Sequence, residues 1–270
     1  MSVLSDYLSE TSALLRDSRF QFTTKNNLTL YINKARREVA IRSCCLEAIV
    51  TGQAPFGTSA QPGFLVPGAA IPGTLPGAIA NNANSPGAAA TDSNNFNTIP
   101  GTELYPYKYA EPYLQGQYGG YKSLFYLRNV SVTWGGFKPT LSWMPWENLQ
   151  AYARSFNIAA TNYPSVWAST RRGENSQAWL WPIPSGASPA GLEWQGYCTP
   201  KELWTDDDYE AIPELFQGSI KYYAAYLAYL AMGRTNMAQI MLSLFESDLI
   251  KNSAVEDAGH TSSFYDQSWM

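Results

Sequence analysis

The sequence predicts an α+β protein: a helical bundle with a long C-terminal helix, a small antiparallel β-rich domain and a long Pro/Gly-rich insertion. Three observations carry this. Apolar residues recur at spacings of three and four over residues 1–50 and again over 201–251, the period of a helix with one buried face. Between 105 and 200 the chain breaks into short β-branched and aromatic runs separated by turn compositions. Between 51 and 104 neither period is present and Pro-Gly pairs recur.

The first helix is read over 3–16, where Val3, Leu4, Tyr7, Leu8, Ala13, Leu14 and Leu15 form a short stripe interrupted by Ser and Thr. The second follows Thr24, a good N-cap, and its stripe of Leu28, Ile32, Ala35, Val39, Leu46 and Ile49 carries the predicted helix through to residue 50. Lys34, Arg36, Arg37 and Arg42 make that helix basic, which reads as a solvated face, with an acidic partner as the alternative. In the arm over 51–104, Pro-Gly stands at 62, 67, 72, 76, 86 and 100, and Asp92 is the only charge between 51 and 100. Each pair joins a fixed φ to a permissive one, as a type II turn needs, so no packed core fits here. The lack of charge suits a segment lying along another surface.

The β-rich domain, 105–200, opens with the strand SLFYLRNVSVTW, carrying Phe125, Leu127, Val130, Val132 and Trp134, then a Gly-Gly turn and the partner FKPTLSWM. A short helix near 145–156 starts at Pro145 and puts Leu149, Tyr152 and Phe156 on one side. YPSVWASTR, SQAWLWPIP and GLEWQGYC then read as three strands of one small sheet, with Pro182, Pro184 and Pro189 at edges or ends. The C-terminal helical part, 201–251, holds a helix that would be about 48 Å long if unbroken from Ser219 to Ile250, with Gly233 the place for a kink. The tail, 252–270, is polar until Phe264, Tyr265 and Trp269, and reads as flexible.

Composition limits the chemistry. With 270 residues, 45% apolar and 15% charged, the chain can bury a sizeable core, while 14% aromatic content favours large contact surfaces. A net charge of -4 argues against general nucleic-acid affinity. The start carries acidic residues and no apolar run of signal-peptide length, and no segment is long and apolar enough to span a bilayer, which predicts a cytoplasmic chain with no membrane partner. Three cysteines cannot all pair, and Cys44 and Cys45 are adjacent, so reduced thiols are expected.

His260 is the one histidine, and neither a phosphate-binding glycine loop nor a CxxC pair is present. No catalytic residue, cofactor or metal site is predicted. Asp206, Asp207, Asp208 and Glu210 form the one dense acidic cluster, best read as helix capping. A cell-wall glycoside hydrolase using Asp206 or Asp208 with Glu210 or Glu214 is the enzymatic alternative. A carbohydrate- or receptor-binding module would rest on Trp143, Trp146, Trp167, Trp179, Trp181, Trp194 and Trp204.

In IPELFQGSIKYYAAYLAYLAMGR, no charge lies between Tyr222 and Gly233, so burial on every side is expected. Ala224, Ala228 and Ala231 give a face that admits a close neighbour, and Tyr222, Tyr226 and Tyr229 an adjacent one whose hydroxyls need partners.

This stretch, with YPSVWA, SQAWLWPIP, GLEWQGYCTPKELWTDDD and the amino-terminal LLRD and LTLYINKARREVA, resembles the head-to-tail adaptor (connector or tail-completion) proteins of tailed bacteriophages, the short-tailed ones above all. The similarity covers roughly residues 10–50 and 145–250. It implies a structural virion protein of the head-tail junction, assembled in the host bacterial cytoplasm as a homo-oligomeric ring, typically a dodecamer. That ring would join the portal protein to a tail nozzle or tube protein and pass genomic DNA without binding it specifically. On that reading Tyr222, Ala224, Tyr226, Ala228, Tyr229 and Ala231 form the subunit seam, and Phe264, Tyr265 and Trp269 reach the portal. Ordinary core packing is the alternative for the alanine face.

Overall fold

A computed structural model of the chain describes residues 4–17, 21–51, 96–99, 101–133, 138–155, 163–170, 173–184 and 191–259. They show an α+β protein whose contacts fall into two units, one of Met1–Glu47, Tyr118–Tyr126 and Tyr197–Met270, the other of Ala48–Gln117 and Leu127–Gly196.

In the first unit, α1 (Leu4–Leu15), α2 (Lys25–Ser43) and α6 (Thr235–Gly259) gather around α5 (Glu214–Ala231). α1 ends where Arg16 turns left-handed at φ 55°, and the Asp17 carboxylate then accepts the N–H groups of Gln21, Phe22 and Thr23 at 2.7, 2.9 and 3.1 Å. The LLRD motif is thus a helix stop followed by a carboxylate that organises the approach to α2. Burial alone would raise the Asp17 carboxyl, but those backbone donors outweigh it and hold it below the ordinary range. Thr24 caps α2, its hydroxyl accepting from Asn27 N at 3.3 Å. Leu28, Ile32, Ala35 and Val39 are fully buried, as their spacing predicts.

The second helix does not run to residue 50. It stops at Ser43 because Cys44 adopts the left-handed conformation and donates its N–H to Ala40 O, and β1 (Glu47–Thr51) follows. Leu46 and Ile49 match the helical spacing by coincidence. Ala48 and Val50 are buried while Glu47 and Ile49 are exposed, which is the period of a strand.

β3 (Tyr121–Thr133) and β7 (Gly191–Pro200) contribute residues to both units, and the sheet order is β1-β7-β3. Ser123 hydrogen-bonds Thr199 at 2.9 Å while Thr133 adjoins Gly191, so β3 and β7 are antiparallel. Here the structure corrects the single sheet read from the sequence, because GLEWQGYC pairs in this sheet and not with its predecessors. Gly120 packs against the Tyr209 ring, where an added Cβ would lie 2.7 Å from a ring carbon.

The second unit holds a four-stranded sheet of order β2-β6-β5-β4, made by Leu104–Pro106, Gln177–Trp181, Val166–Ser169 and Ser142–Trp143. β6 pairs antiparallel with β2 and β5, whereas β4 pairs parallel to β5. FKPTLSWM accordingly divides its work. Its middle answers β3 through the Ser131–Thr140 bridge and the bond from Leu141 N to Val130 O, and its end joins the other sheet. α4 (Trp146–Ser155), the predicted short helix, buries Leu149 with Ala168, Trp179 and Trp181. A 3-10 turn over Tyr107–Ala110 leads into α3 (Glu111–Gln117).

Packed structure is already present at Phe96, inside the span read as an arm. Its ring is buried among Tyr109, Tyr113 and Trp194 at 5.1, 5.0 and 4.9 Å, and Leu192 N donates to its carbonyl at 2.7 Å. Residues 52–95, which carry most of the Pro-Gly pairs, lie outside the described residues.

The C-terminal helix is not continuous. α5 closes at Met232, Gly233 turns left-handed at φ 73°, and Arg234 N reaches back to Tyr229 O at 2.9 Å before α6 begins. The kink expected at Gly233 is therefore a full reversal. α6 runs on to Gly259, past the boundary set at Lys251.

Candidate interaction surface

α5 is enclosed on most of its circumference. Phe216, Ser219, Ile220, Ala224, Ala225, Ala228 and Tyr229 are buried, and the Tyr229 hydroxyl donates to Leu14 O at 3.0 Å. Small alanines let α1 and α2 approach its axis closely, which is the use for so many of them. The alanine face is therefore largely occupied within the chain. Ala224, Ala228 and Tyr229 meet the protein's own helices, Tyr222 and Tyr226 are half-buried, and Ala231 is exposed.

α5 and α6 are antiparallel, with Ser219 Oγ 2.6 Å from Asp248 Oδ2 and the Tyr223 and Phe245 rings 4.9 Å apart. α6 turns Ala238, Met241, Phe245 and Leu249 inward, yet Met237, Ile240 and Leu244 form a second stripe and remain 41, 50 and 43% exposed. At 3.6 residues per turn this stripe lies about 75° from the line joining the two helices, and Leu215, Tyr222 and Tyr226 lie about 60° from it on α5. Because the helices run in opposite directions, both sets fall on the same side of the hairpin. α2 takes the other side, where Arg42 reaches Glu246 at 3.6 Å and stands over the Tyr223 and Phe245 rings at 6.0 and 5.4 Å. One side of the hairpin is thus packed on α2, and the other presents an apolar and aromatic face.

The connector from 201 to 212 fixes this bundle, and it uses the acidic cluster to do so. Arg36, read from the sequence as solvated, is 1% exposed and pairs with Glu210, 4% exposed, at 2.8 Å. Its remaining donors go to Asn33 Oδ1 and Lys201 O, while Asn33 exchanges two bonds with the Leu203 backbone at 2.9 Å. The basic-face reading failed here because Arg36 stands one position from Ala35 on the inner side of α2, where a long side chain can be covered. The Tyr7 hydroxyl is buried beside Glu210 without a well-formed hydrogen bond. Burial, and then that carboxylate, push its phenol far up.

Asp206 caps α1, accepting Ser5 N at 2.8 Å, and Asp208 accepts Trp204 N and Thr205 N, both at 2.7 Å. Those N–H bonds hold the Asp208 carboxyl below the usual range. Capping is the right chemistry, then, but it serves α1 and a local turn and not α5, whose N-cap is Pro213. Three of the four carboxylates of the enzymatic alternative are engaged in this way; Glu214 lies in the exposed first turn of α5. Among the described residues, no group of three or more His, Cys, Asp or Glu could hold a metal ion, and no helix is long and apolar enough to cross a membrane.

Among the tryptophans, Trp167, Trp179, Trp181 and Trp194 are core, whereas Trp143 and Trp204 are exposed. Cys44, Cys45 and Cys198 are not joined in disulfides, and burial pushes the Cys198 thiol well up. Phe264, Tyr265, Trp269 and His260 lie outside the described residues. The stripe Met237, Ile240 and Leu244 escaped the sequence reading, although its signal is present. NMAQIMLSLF holds more apolar residues than one buried face can use.

The family model described as SU10 adaptor protein matches residues 4–263, both units together. Among curated proteins no match is found.

Proposed function

Because this chain belongs to the SU10 adaptor protein family, a family of phage head-to-tail adaptors, we propose that it is a structural virion protein that assembles as a ring between the portal vertex and the tail nozzle or tube. The ring, typically a dodecamer in such adaptors, would line the channel through which genomic DNA leaves. The observation that carries this reading is the uncovered face of the α5–α6 hairpin. A helix pair that has closed its own core and still presents Tyr222, Tyr226, Met237, Ile240 and Leu244 is built for a protein neighbour. Within the proposed seam, Tyr222, Tyr226 and Ala231 are the members accessible to such a neighbour. Ala224, Ala228 and Tyr229 support it from beneath.

The mechanism is geometric. Repetition of one subunit contact closes a ring, and the closed ring offers the tail protein a composite surface that a monomer lacks. A net charge of -4 suits a channel that lets DNA slide, since a gripping channel would need clustered Lys and Arg. The aromatic-ended segment with Phe264, Tyr265 and Trp269 is assigned to the portal. The Pro-Gly-rich stretch is assigned to an arm along a neighbouring subunit, tail or capsid protein.

The deciding measurement is the mass of the purified protein with and without portal particles, read by native mass spectrometry and electron microscopy. A ring on the portal is the expected result. A stable small oligomer indifferent to portal would overturn the proposal.

A further inference from the structure

A ring built by one repeated contact needs two unlike faces on each subunit, and the first unit carries a second one. On α2, Leu30, Lys34, Arg37 and Ile41 are all exposed and fall within about 40° of a single line along the helix, opposite the buried Leu28, Ile32, Ala35 and Val39. That stripe points away from the bundle. Since α2 lies on the side of the hairpin opposite the apolar face, the two faces look outward in opposed directions.

The order within the stripe decides what it fits. A helix that tracked DNA phosphates would place basic groups along its length, but here two cations are bracketed by Leu30 and Ile41. Apolar ends around a cationic middle match a surface that is itself apolar with aromatic rings, where ammonium and guanidinium groups stand over ring faces. The same chemistry already occurs inside the unit, with Arg42 over Phe245 and Lys221 over Tyr222. Dimensions agree as well. Leu30 to Ile41 spans about 16 Å of helix, as does Leu215 to Tyr226, and two antiparallel helices leave between them a groove of the width that one helix ridge fills.

We propose that the exposed stripe of α2 packs into the α5–α6 face of a second copy of this chain, head to tail, with Leu30 and Ile41 against Met237, Ile240 and Leu244, and with Lys34 and Arg37 beside Tyr226 and Asp248. This rests on the ring reading above and specifies which faces meet. The contact is heterologous, so it propagates around a ring and cannot stop at a twofold dimer.

Isotopically heavy and light wild-type chains mixed into rings, treated with an amine cross-linker and digested, test it with native lysines. Heavy-to-light links from Lys34 to Lys221 or Lys251 are expected. Rings giving Lys34–Lys34 links, or none of these, overturn it.

Two variants give an independent reading. Leu30→Glu/Ile41→Glu blocks one face and Ile240→Glu/Leu244→Glu the other, and each alone should shift assembly to roughly 100-fold higher concentration or beyond, with unchanged circular dichroism. A mixture of the two retains one intact junction and should yield heterodimers without rings. Rings from either variant alone at wild-type concentration overturn the pairing while leaving the adaptor reading in place. Wild-type chains that form no ring with or without portal remove both.

Discussion

Replacing Arg36 by methionine tests whether the 201–212 connector holds the helical unit together. The guanidinium makes contacts of 2.8, 3.0 and 3.3 Å to Glu210, 2.7 Å to Lys201 O and 3.3 Å to Asn33 Oδ1, all in a region closed to water. Methionine fills much of the same volume and supplies none of them. Glu210 would keep one donor, Ile212 N at 2.9 Å, and stay a buried carboxylate with no counter-charge. Breaking a buried pair in this way costs about 3–5 kcal/mol, a large part of the 5–15 kcal/mol that typically holds a domain together.

Removing both charges should cost less than the two single losses added together. In Arg36→Met/Glu210→Met the stranded charge is gone, and the remaining penalty is about 1–3 kcal/mol for each of Lys201 O and Ile212 N, left without side-chain partners. Urea unfolding followed by far-UV circular dichroism measures all three variants and gives the coupling directly. A single-variant loss under about 1 kcal/mol, or a double variant losing the sum of the two singles, would refute the view that this pair is a closed buried unit.

Ala228→Arg places a charge where α5 has no exposed surface, so it should unfold the helical unit, with a loss above about 3 kcal/mol, whereas Ile240→Arg should leave the melting curve unchanged and abolish rings. Thermal melts beside native mass spectra separate the two effects. Because Asp17 is held below the ordinary carboxylate pKa of about 3.9, its stabilisation is present above that pH and is lost as pH falls through the lower folded value; Asp17→Asn should flatten the acid limb of a stability-versus-pH curve. Burial, foremost, pushes the Tyr105, Tyr109 and Tyr121 phenols up to about 12, so a phenolate absorbance titration should show tyrosines ionising about two units late. Their stabilisation is full below pH 10 and lost as pH rises toward 12. Deleting 55–94, which stops short of the buried Phe96 ring, should preserve the fold and remove a contact in the assembled particle; unimpaired assembly with no lost contact would end the arm assignment.

The helices were legible because their signals are local. Thr24 at an N-cap, Leu28, Ile32, Ala35 and Val39 at helical spacing and Gly233 at a C-terminus each act within one or two turns. What escaped depended on residues distant in sequence. Nothing near Arg36 announces Glu210, 174 positions away, and nothing in GLEWQGYC announces that its partners are β1 and β3. The end of α2 was misjudged for the opposite reason, since Cys44 is a left-handed residue that is neither glycine nor asparagine and local rules pass over it. The burial of α5 was half legible. Helical periodicity shows that α5 is apolar all round, and only the packing of α1, α2 and α6 divides its circumference into a side buried within the chain and a side left exposed.

The way α1 and α2 depend on α5 has a consequence for synthesis. The bonds from Ser5 to Asp206, from Arg36 to Glu210 and from Tyr229 to Leu14 join positions 201, 174 and 215 residues apart. A nascent chain growing at about 5–20 residues per second therefore carries its first two helices for roughly ten seconds or more before the helix they enclose exists. Through that interval Leu28, Ile32 and Val39 lack the α5 surface they bury against, which leaves apolar side chains open to premature association. The same delay works as a filter, because a chain terminated before residue 214 lacks the helix that closes its bundle and would be kept out of the proposed ring.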